Sequence, residues 1–331
     1  MGQLSQRNNP LRRVKPVYLG VASLALAIVL PIPIGDYLRS VLWLIGIYVL
    51  LGLGLNIIVG YAGLFQLGHA AFYAIGAYTA GLLNLRLGVP LIWTIPVAIV
   101  VSGLAGFVVS RPILHLRGDY LAIVTIAFGE ILRMLLVNNV SGVTGGANGL
   151  FGIAPLEILG YQFTSVISNY YLVLFFVVIT IFAVNRLENS RLGRAWMYVR
   201  EDQVAAEAMG INTVQVKAVA FVLGSAWAGL AGVLYAARIG SISPDLGSFL
   251  ESVIMFSIVV LGGVGSIPGV IVGAIGMIGL PELFRFVKDW RDGFVGLAMV
   301  IMMIFRPGGL LPSRRVVEEL ETSEAAAKMA S

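Results

Sequence analysis

Long apolar stretches separated by short polar segments make up nearly the whole chain. Several of them approach the roughly 20 residues that an α-helix needs to cross a hydrocarbon core. The pattern therefore predicts an all-α, polytopic transmembrane helical bundle. The ten predicted spans are 16–34, 40–59, 69–84, 90–110, 120–137, 168–185, 217–237, 250–265, 266–284 and 293–306. Two short segments, near 61–68 and 260–268, can instead be re-entrant, which leaves the count between about eight and eleven.

The polar segments divide the chain into three parts. A basic arm, 1–15, precedes the transmembrane domain, 16–306, and a charged tail, 307–331, follows it. With the arm placed in the cytoplasm, most of the 22 Lys and Arg residues fall on the cytoplasmic side, as the positive-inside rule requires. We therefore expect both termini in the cytoplasm, with a polar loop, 187–216, on the same side.

Composition excludes several classes of protein. Only 12% of the residues are charged, against about 25% in soluble domains, so the bundle is surrounded by lipid. The chain has no cysteine, which excludes disulfides and thiolate ligands, and its two histidines are too few to form a metal site by themselves. The net charge of +5 lies in loops, where membrane orientation accounts for it, so no nucleic-acid partner is expected. No GxxxxGK[ST], HExxH or GxSxG motif occurs, so we predict a non-catalytic chain that binds no cofactor directly.

Two glycine-rich segments interrupt the predicted spans in the two halves of the chain. "VGYAGLFQLGHAAFYAIGAY" (59–78) and "LGGVGSIPGVIVGAIGMI" (261–278) each place a break before a helix of small residues. Paired interrupted segments are typical of transporters, where they line the translocation pathway. The alternative is that the glycines only serve helix packing. The pathway candidates in these segments are Gly63, Gly68, His69, Gly262, Gly263 and Gly265.

Glu130 is a charged residue inside a predicted span, and such residues are functional candidates because a charge in lipid is costly. Arg133 lies three residues later on the same helix face and can partly neutralise it. Glu130 either lines the pathway or forms a pair with Arg133 near the outer interface, and we favour the second interpretation. His69 and Glu251, single polar groups near span ends, are more typical of packing or capping residues. The remaining pathway candidates, in the external loop 138–167, are Thr144, Gly145 and Gly146.

The loop 187–216 contains the stretch "REDQVAAEAMGI" (200–211), which predicts one short helix. Glu201 and Asp202 suit a helix N-terminus, and Gly210 suits a helix end. The small side chains of the alanines at 205, 206 and 208 would let another protein pack closely against the helix. Gly210 lies on the same face as Ala206 and ends a tightly packed helix. A solvent-exposed connector is the alternative, although a connector seldom needs about 30 residues.

This loop resembles the coupling, or EAA, loop of ABC importer permeases. Ala205, Ala206 and Gly210 stand on the motif's Ala-Ala and Gly, whereas Val204 stands where the motif usually has Glu. Because Val204 has no carboxylate, any acidic contact of this loop with a partner would come from Glu201, Asp202 or Glu207. The candidate coupling residues are Arg194, Arg200, Glu201, Asp202, Ala205, Ala206, Glu207 and Gly210.

More specifically, the chain is similar to LivM-type permeases of branched-chain amino acid ABC importers. The similar stretches, in matching order from about residue 50 to 312, are "GYAGLFQLGHAAFYAIGAYTAGLL", "LRGDYLAIVTIAFGEILRMLL", "VTGGANGLFGI", "GRAWMYVREDQVAAEAMGI", "LGGVGSIPGVIVGAI" and "RPGGLLP". The resemblance implies an ABC importer permease fold and a pore shared with a homologous, LivH-like permease in a prokaryotic plasma membrane.

The resemblance also implies a division of labour. Two cytoplasmic ABC ATPase subunits would use ATP and Mg²⁺, and a periplasmic or extracellular binding protein would deliver Leu, Ile or Val. A urea or short-amide importer of the same family is an alternative. An ion-coupled secondary transporter that uses Glu130 is an alternative of another class.

Overall fold

The structure, a computed structural model, describes residues 16–113, 118–139, 142–158, 160–283 and 308–312, and the single residues 293, 296 and 300. These residues are mainly helical. The α-helices are α1 (Pro16–Val29), α2 (Asp36–Asn56), α3 (His69–Leu87), α4 (Leu91–Ile113), α5 (Asp119–Val137), α6 (Val166–Glu188), α7 (Arg191–Glu201), α8 (Gln203–Ala208), α9 (Thr213–Ile239), α10 (Phe249–Gly262), α11 (Ile267–Ala274) and α12 (Leu280–Leu283). Short strands form two antiparallel pairs, β1 (Leu150–Phe151) with β4 (Ser241–Ile242), and β2 (Glu157–Ile158) with β3 (Tyr161–Gln162).

Five helices in the described part of the chain are long and apolar enough to cross a membrane, and two further apolar helices are shorter. The five are Asp36–Tyr61, Leu91–Pro112, Asp119–Val137, Val166–Glu188 and Thr213–Ile239, and the shorter two are Phe249–Gly262 and Ile267–Glu282. The five coincide with predicted spans, so the chain is a helical, multi-pass membrane protein. The count of ten remains a prediction. The arm 1–15, most of the span 293–306 and the tail beyond 312 lie outside the described residues.

Helix α9 packs against α2, α3 and α4, and glycines allow these close approaches. A Cβ on Gly229 would collide with Ser102 of α4, and one on Gly76 of α3 would collide with the backbone of Gly229. Small residues at helix contacts let transmembrane helices approach closely. Helix packing therefore accounts for these glycines of the bundle.

Contacts between connecting segments mark two ends of the bundle. At one end β1 pairs with β4, and the Ala154 amide donates to Asn84 Oδ1 at 2.9 Å. At the other end the Tyr61 hydroxyl donates to Glu188 Oε2 at 3.1 Å. The predicted alternation of spans puts the first set of segments outside and the second inside. Each contact thus joins segments that were assigned to one side.

Both glycine-rich segments are breaks in helical structure, as predicted. Helix α2 continues into a π-helical turn, Ile57–Tyr61, and irregular backbone at 62–68 then leads to α3. Helix α10 ends at Gly262, and a turn at 263–266 leads to α11. The Gly265 amide donates to Asn56 Oδ1 at 2.9 Å, so the two breaks are in contact.

Candidate functional site

The polar loop forms two helices rather than the single helix that its sequence predicts. Helices α7 and α8 meet at Asp202, whose φ of −150° and ψ of 110° interrupt the helical path. Asp202 Oδ1 accepts hydrogen bonds from the amides of Val204 and Ala205 at 2.8 and 3.0 Å, which caps α8. The helix start predicted at Asp202 is therefore confirmed, whereas Glu201, expected at the same start, is the last residue of α7.

Polar side chains hold α8 against the start of α9. The Gln203 side chain accepts a hydrogen bond from Lys217 Nζ at 2.7 Å and donates one to Glu207 Oε1 at 3.0 Å. Thr213 donates to the same Glu207 oxygen at 2.7 Å. In α7, the fully buried Trp196 donates from its indole to the backbone of α9 at 2.7 Å. Both loop helices are thus fixed to the transmembrane bundle.

One face of α8 is apolar and exposed. Val204 and Met209 are 63% and 70% exposed, and Ala205 and Ala208 are exposed beside them. We call these four residues the docking face. Ala206 is only 1% exposed, because a period of 3.6 residues turns it away from positions 204 and 208 and toward its own chain. The expectation that Ala206 belongs to the surface offered to a partner is wrong.

Gly210 ends α8 through its backbone conformation. Its φ is 82°, in the left-handed region, and a Cβ there would meet no atom within 4 Å. The Gly210 amide donates to the Glu207 carbonyl at 2.9 Å and the Ile211 amide to the Ala206 carbonyl at 3.0 Å, the pattern of a Schellman motif. The predicted helix end is confirmed. Among the described residues no atom would contact a Cβ at Gly210, so the tight packing expected of this helix stays a prediction.

The two candidate arginines of the loop, Arg194 and Arg200, have different partners. Arg194 donates to the carbonyl of Asn189 within the loop at 3.2 Å. Arg200 reaches the first break, where Nη1 donates to the Gly60 carbonyl at 2.5 Å. Gly63 lies beneath the same side chain, since a Cβ there would be 2.7 Å from Arg200 Cγ. The loop and the break are therefore in direct contact, which the sequence did not predict. Of the other coupling candidates, Glu201 is exposed.

Gly68 and His69 lie where α3 begins against α5 and α10. A Cβ on Gly68 would collide with the carbonyl of Thr125 in α5. The Ala70 amide, in the first turn of α3, donates to Ser252 Oγ of α10 at 3.0 Å. Gly68 has no side chain to cap this helix, so a neighbouring helix supplies the acceptor.

The candidates of the second break are held by backbone packing. A Cβ on Gly262 would collide with the carbonyl of Gly269, and Gly263, with φ 127°, lies against the backbone of Leu311. Gly265 is the residue that bonds to Asn56 of the first break. Gly60, Gly63 and Gly265 therefore lie at one junction, and Gly68 and His69 at another.

Glu130 forms the predicted pair and also holds the start of α10. Its Oε2 accepts from Arg133 Nε at 3.0 Å, and its Oε1 accepts from the amide of Phe249 at 3.1 Å. The two charged side chains are 32% and 31% exposed, and Arg133 also lies 3.7 Å from Asp245. The pairing is confirmed, whereas the contact with α10 had no signal in the sequence.

Thr144, Gly145 and Gly146 lie at the end of α5. Thr144 Oγ1 donates to the Leu136 carbonyl at 2.9 Å, and the two glycines have φ values of 77° and 65°. The hydrogen bonds of Thr144 stay within this end of the molecule and reach neither break. Within the described residues, no group of three or more His, Asp or Glu side chains could hold a metal ion.

Three buried polar side chains near the first break contain atoms that have no hydrogen-bond partner among the described residues. Both amide atoms of Gln66, both ring nitrogens of His69 and Asn56 Nδ2 have none, and all three residues are fully buried. An unsatisfied buried polar group costs about 1–3 kcal/mol. Glu251, by contrast, accepts from the Tyr48 hydroxyl at 2.7 Å. Sequence reasoning missed Gln66 and Asn56, although a glutamine in a glycine-rich break is a signal of the same kind as His69.

Comparisons with known proteins agree with this architecture. Residues 37–305 match the family model for the branched-chain amino acid transport system permease component. The chain is 40% identical to the high-affinity branched-chain amino acid transport system permease protein LivM of Salmonella typhimurium, over 96% of this chain and 80% of that protein. It is 28% identical to the high-affinity branched-chain amino acid transport system permease protein BraD of Pseudomonas aeruginosa, over 80% of this chain and 91% of that protein.

A second kind of relative is also similar. The permease protein LivH of Escherichia coli K12 is 27% identical over 80% of this chain and 91% of that protein. No solved structure matches the chain. By the extent of the family match and the identity to LivM, the chain belongs to the family of branched-chain amino acid transport system permease components.

Proposed function

We propose that the chain is the membrane-spanning permease subunit of an ATP-driven importer of branched-chain amino acids, and that α8 receives the force from separate ATPase subunits. The docking face carries this proposal. Its four residues form an apolar, exposed patch on a helix that is capped at both ends and bonded to the transmembrane bundle. A helix that transmits force must be held firmly by the rest of its subunit, as α8 is. An exposed apolar surface is suited to binding another protein.

The contacts at the two ends of the bundle support a cytoplasmic position for α8. Tyr61 and Glu188 join the end of the first break to the start of the polar loop. The pairing of β1 with β4 lies at the opposite end. This division agrees with the predicted order of the spans. We propose ten spans with both termini and α8 on the cytoplasmic side of a prokaryotic membrane, where ATPase subunits could reach α8.

The proposed partners follow from the names of the relatives and from the missing phosphate loop. Relatives include both LivM and LivH permeases, which supports a pore shared with a LivH-like subunit. Two ATPase subunits bind ATP and Mg²⁺, and an external binding protein delivers the substrate. Leu, Ile and Val are the proposed substrates, and urea or a short amide is the alternative within the same family.

The ion-coupled alternative receives no support from Glu130. Ion coupling through a carboxylate requires a group that exchanges its ion during transport. Both oxygens of Glu130 are already bonded, to Arg133 and to the start of α10. The structure around Glu130 therefore favours a fixed structural pair.

The docking face can be tested with charge substitutions. Val204→Asp and Met209→Asp, expressed with the LivH-like subunit and the ATPases, should abolish co-purification of the ATPases while leaving the permease in the membrane. Val214→Asp is the matched control, because Val214 is 39% exposed but lies on α9 outside the docking face. Retention of the ATPases by both docking-face variants would refute the proposal. Uptake of labelled Leu, Ile, Val and urea by the intact complex identifies the substrate.

A further inference from the structure

The contact between Arg200 and the first break gives the polar loop a second role. We infer that Arg200 is the positioning residue that transmits movement of α8 to the cytoplasmic ends of both interrupted segments. This inference rests on the proposed function, because the movement originates in an ATPase bound at the docking face. It assigns a specific contact to the transmission step.

The Gly60 carbonyl is available to Arg200 because the regular helix ends there. Carbonyls in the last turn of a helix have no partner in the chain that follows. In this segment the hydrogen bonds are shifted, since the Leu64 amide donates to the Ile58 carbonyl at 3.0 Å. The negative end of the helix dipole also attracts a guanidinium. The Arg200 contact is therefore charge-assisted, which makes it stronger than a neutral hydrogen bond.

The Arg200 side chain packs directly against the backbone of Gly63. Gly63 has a left-handed backbone conformation, with φ 67°. A Cβ at this position would lie 2.7 Å from Arg200 Cγ and 3.1 Å from Arg200 Cβ. The aliphatic part of Arg200 thus lies against one glycine of the break and its guanidinium binds another. The break cannot move away from α7 without losing both contacts.

The contact continues to the second break through Asn56. A Cβ on Gly60 would collide with Asn56 Oδ1 and lie 2.8 Å from the Gly265 amide. The absence of a side chain at Gly60 therefore lets Asn56 reach Gly265, to which it is bonded at 2.9 Å. Arg200, Gly60, Asn56 and Gly265 form one connected path from the loop to both breaks.

The position of Arg200 suits the transmission of force from α8. Glu201 is the last residue of α7, and Asp202 caps α8, so only these two residues separate Arg200 from α8. Asp202 is itself fixed by two hydrogen bonds to α8. A displacement of the docking face is therefore transmitted to Arg200 through only two residues.

The test compares Arg200→Ala with Arg191→Ala in the complete transporter, reconstituted with both permeases, the ATPases and the binding protein. Arg191 is the matched control because it lies exposed at the start of the same helix and is not one of the candidate coupling residues. Three quantities are measured: bound ATPase, ATP hydrolysis, and substrate molecules imported per ATP. Arg200→Ala should retain ATPase binding and hydrolysis while import per ATP falls about tenfold, since a hydrogen bond to a charged group is lost. Arg191→Ala should leave all three unchanged.

A second variant separates the role of Arg200 in positioning from any role in folding. Arg200→Lys keeps one charged donor for the Gly60 carbonyl and should restore import per ATP to within about threefold of the natural chain. Gly63→Ala should reduce import like Arg200→Ala, whereas Gly88→Ala, with a similar φ of 63° and open space around it, should not. Unchanged import per ATP in Arg200→Ala with ATPases bound would overturn the inference and leave the proposed function intact. Loss of bound ATPase would make Arg200 a docking residue and also overturn the inference.

Discussion

The polar loop and the first break are held in opposite ways. In the loop, α7, α8 and α9 each begin with a side-chain cap from their own sequence, supplied by Ser190, Asp202 and Asn212. Helix α3 begins at Gly68 without such a cap and uses Ser252 of α10 instead. Local caps make the loop a self-contained rigid unit. The start of α3 depends on a neighbouring helix, so the break can change only when that helix moves as well.

The polar side chains of the two regions also differ in their hydrogen bonding. Gln203 in the loop bonds to Lys217 and Glu207, whereas Gln66 in the break has no partner for either amide atom among the described residues. A saturated network stabilises one arrangement, and unsatisfied groups raise the energy of the arrangement in which they occur. We therefore infer that the loop transmits movement and that the first break is the segment displaced by it.

The largest predicted effect concerns backbone contact at the break. Gly68→Ala places a Cβ against the Thr125 carbonyl, and backbone cannot yield as a side chain can. We expect a loss of unfolding free energy of more than about 3 kcal/mol, seen as a lower thermal midpoint of the purified protein. Gly103→Ala, whose nearest neighbour would be 3.5 Å away, is the control and should change little. Equal midpoints would show that α3 does not begin against α5.

The same substitution at the two glutamines should have opposite effects. Gln66→Leu removes unsatisfied polar atoms from a buried site and should raise the unfolding free energy by about 1–3 kcal/mol. Gln203→Leu removes the hydrogen bonds that Gln203 makes to Lys217 and Glu207 and should lower the unfolding free energy by about 1–3 kcal/mol, because hydrogen bonds to charged groups are lost. Thermal midpoints of the two variants measure the difference. A stability loss in Gln66→Leu would mean that water or another group satisfies this amide.

The apolar spans and the helix-ending role of Gly210 could be predicted from the sequence because each depends on local signals. Hydropathy marks the spans, and glycine marks a left-handed helix end. The inward position of Ala206 could not be predicted, since it depends on where α8 begins, and Asp202 set that start. The contacts Arg200–Gly60 and Asn56–Gly265 join residues 140 and 209 positions apart, and the residues themselves carry no signal of each other.

Gly210 tests the loop without disturbing the bundle. Gly210→Val forces a β-branched residue into a left-handed conformation, at a cost of about 1–2 kcal/mol, and should weaken ATPase binding about tenfold. Gly210→Asn, which tolerates this conformation, is the control and should bind nearly normally. The amount of each variant in the membrane should be unchanged. Normal ATPase binding by Gly210→Val would show that the backbone conformation at the end of α8 does not affect docking.

The smallest effect is expected at Glu130. Glu130→Gln keeps an oxygen for the Phe249 amide and loses only a partly exposed ion pair, which contributes at most about 1 kcal/mol. Uptake of branched-chain amino acids by the complete transporter should therefore stay within about twofold of the natural chain. A large fall in uptake with normal stability would instead show that Glu130 lines the translocation pathway.

The most direct measurement is a cross-link from the docking face. Because the natural chain contains no cysteine, Met209→Cys introduces a single reactive thiol on an exposed side chain. In membranes that contain the complete transporter, a short reagent with one thiol-reactive end and one photoreactive end should join this residue to an ATPase subunit. In intact cells, an impermeant thiol reagent should fail to label it. Labelling from outside the cell, or the absence of any adduct with the ATPase, would contradict the account.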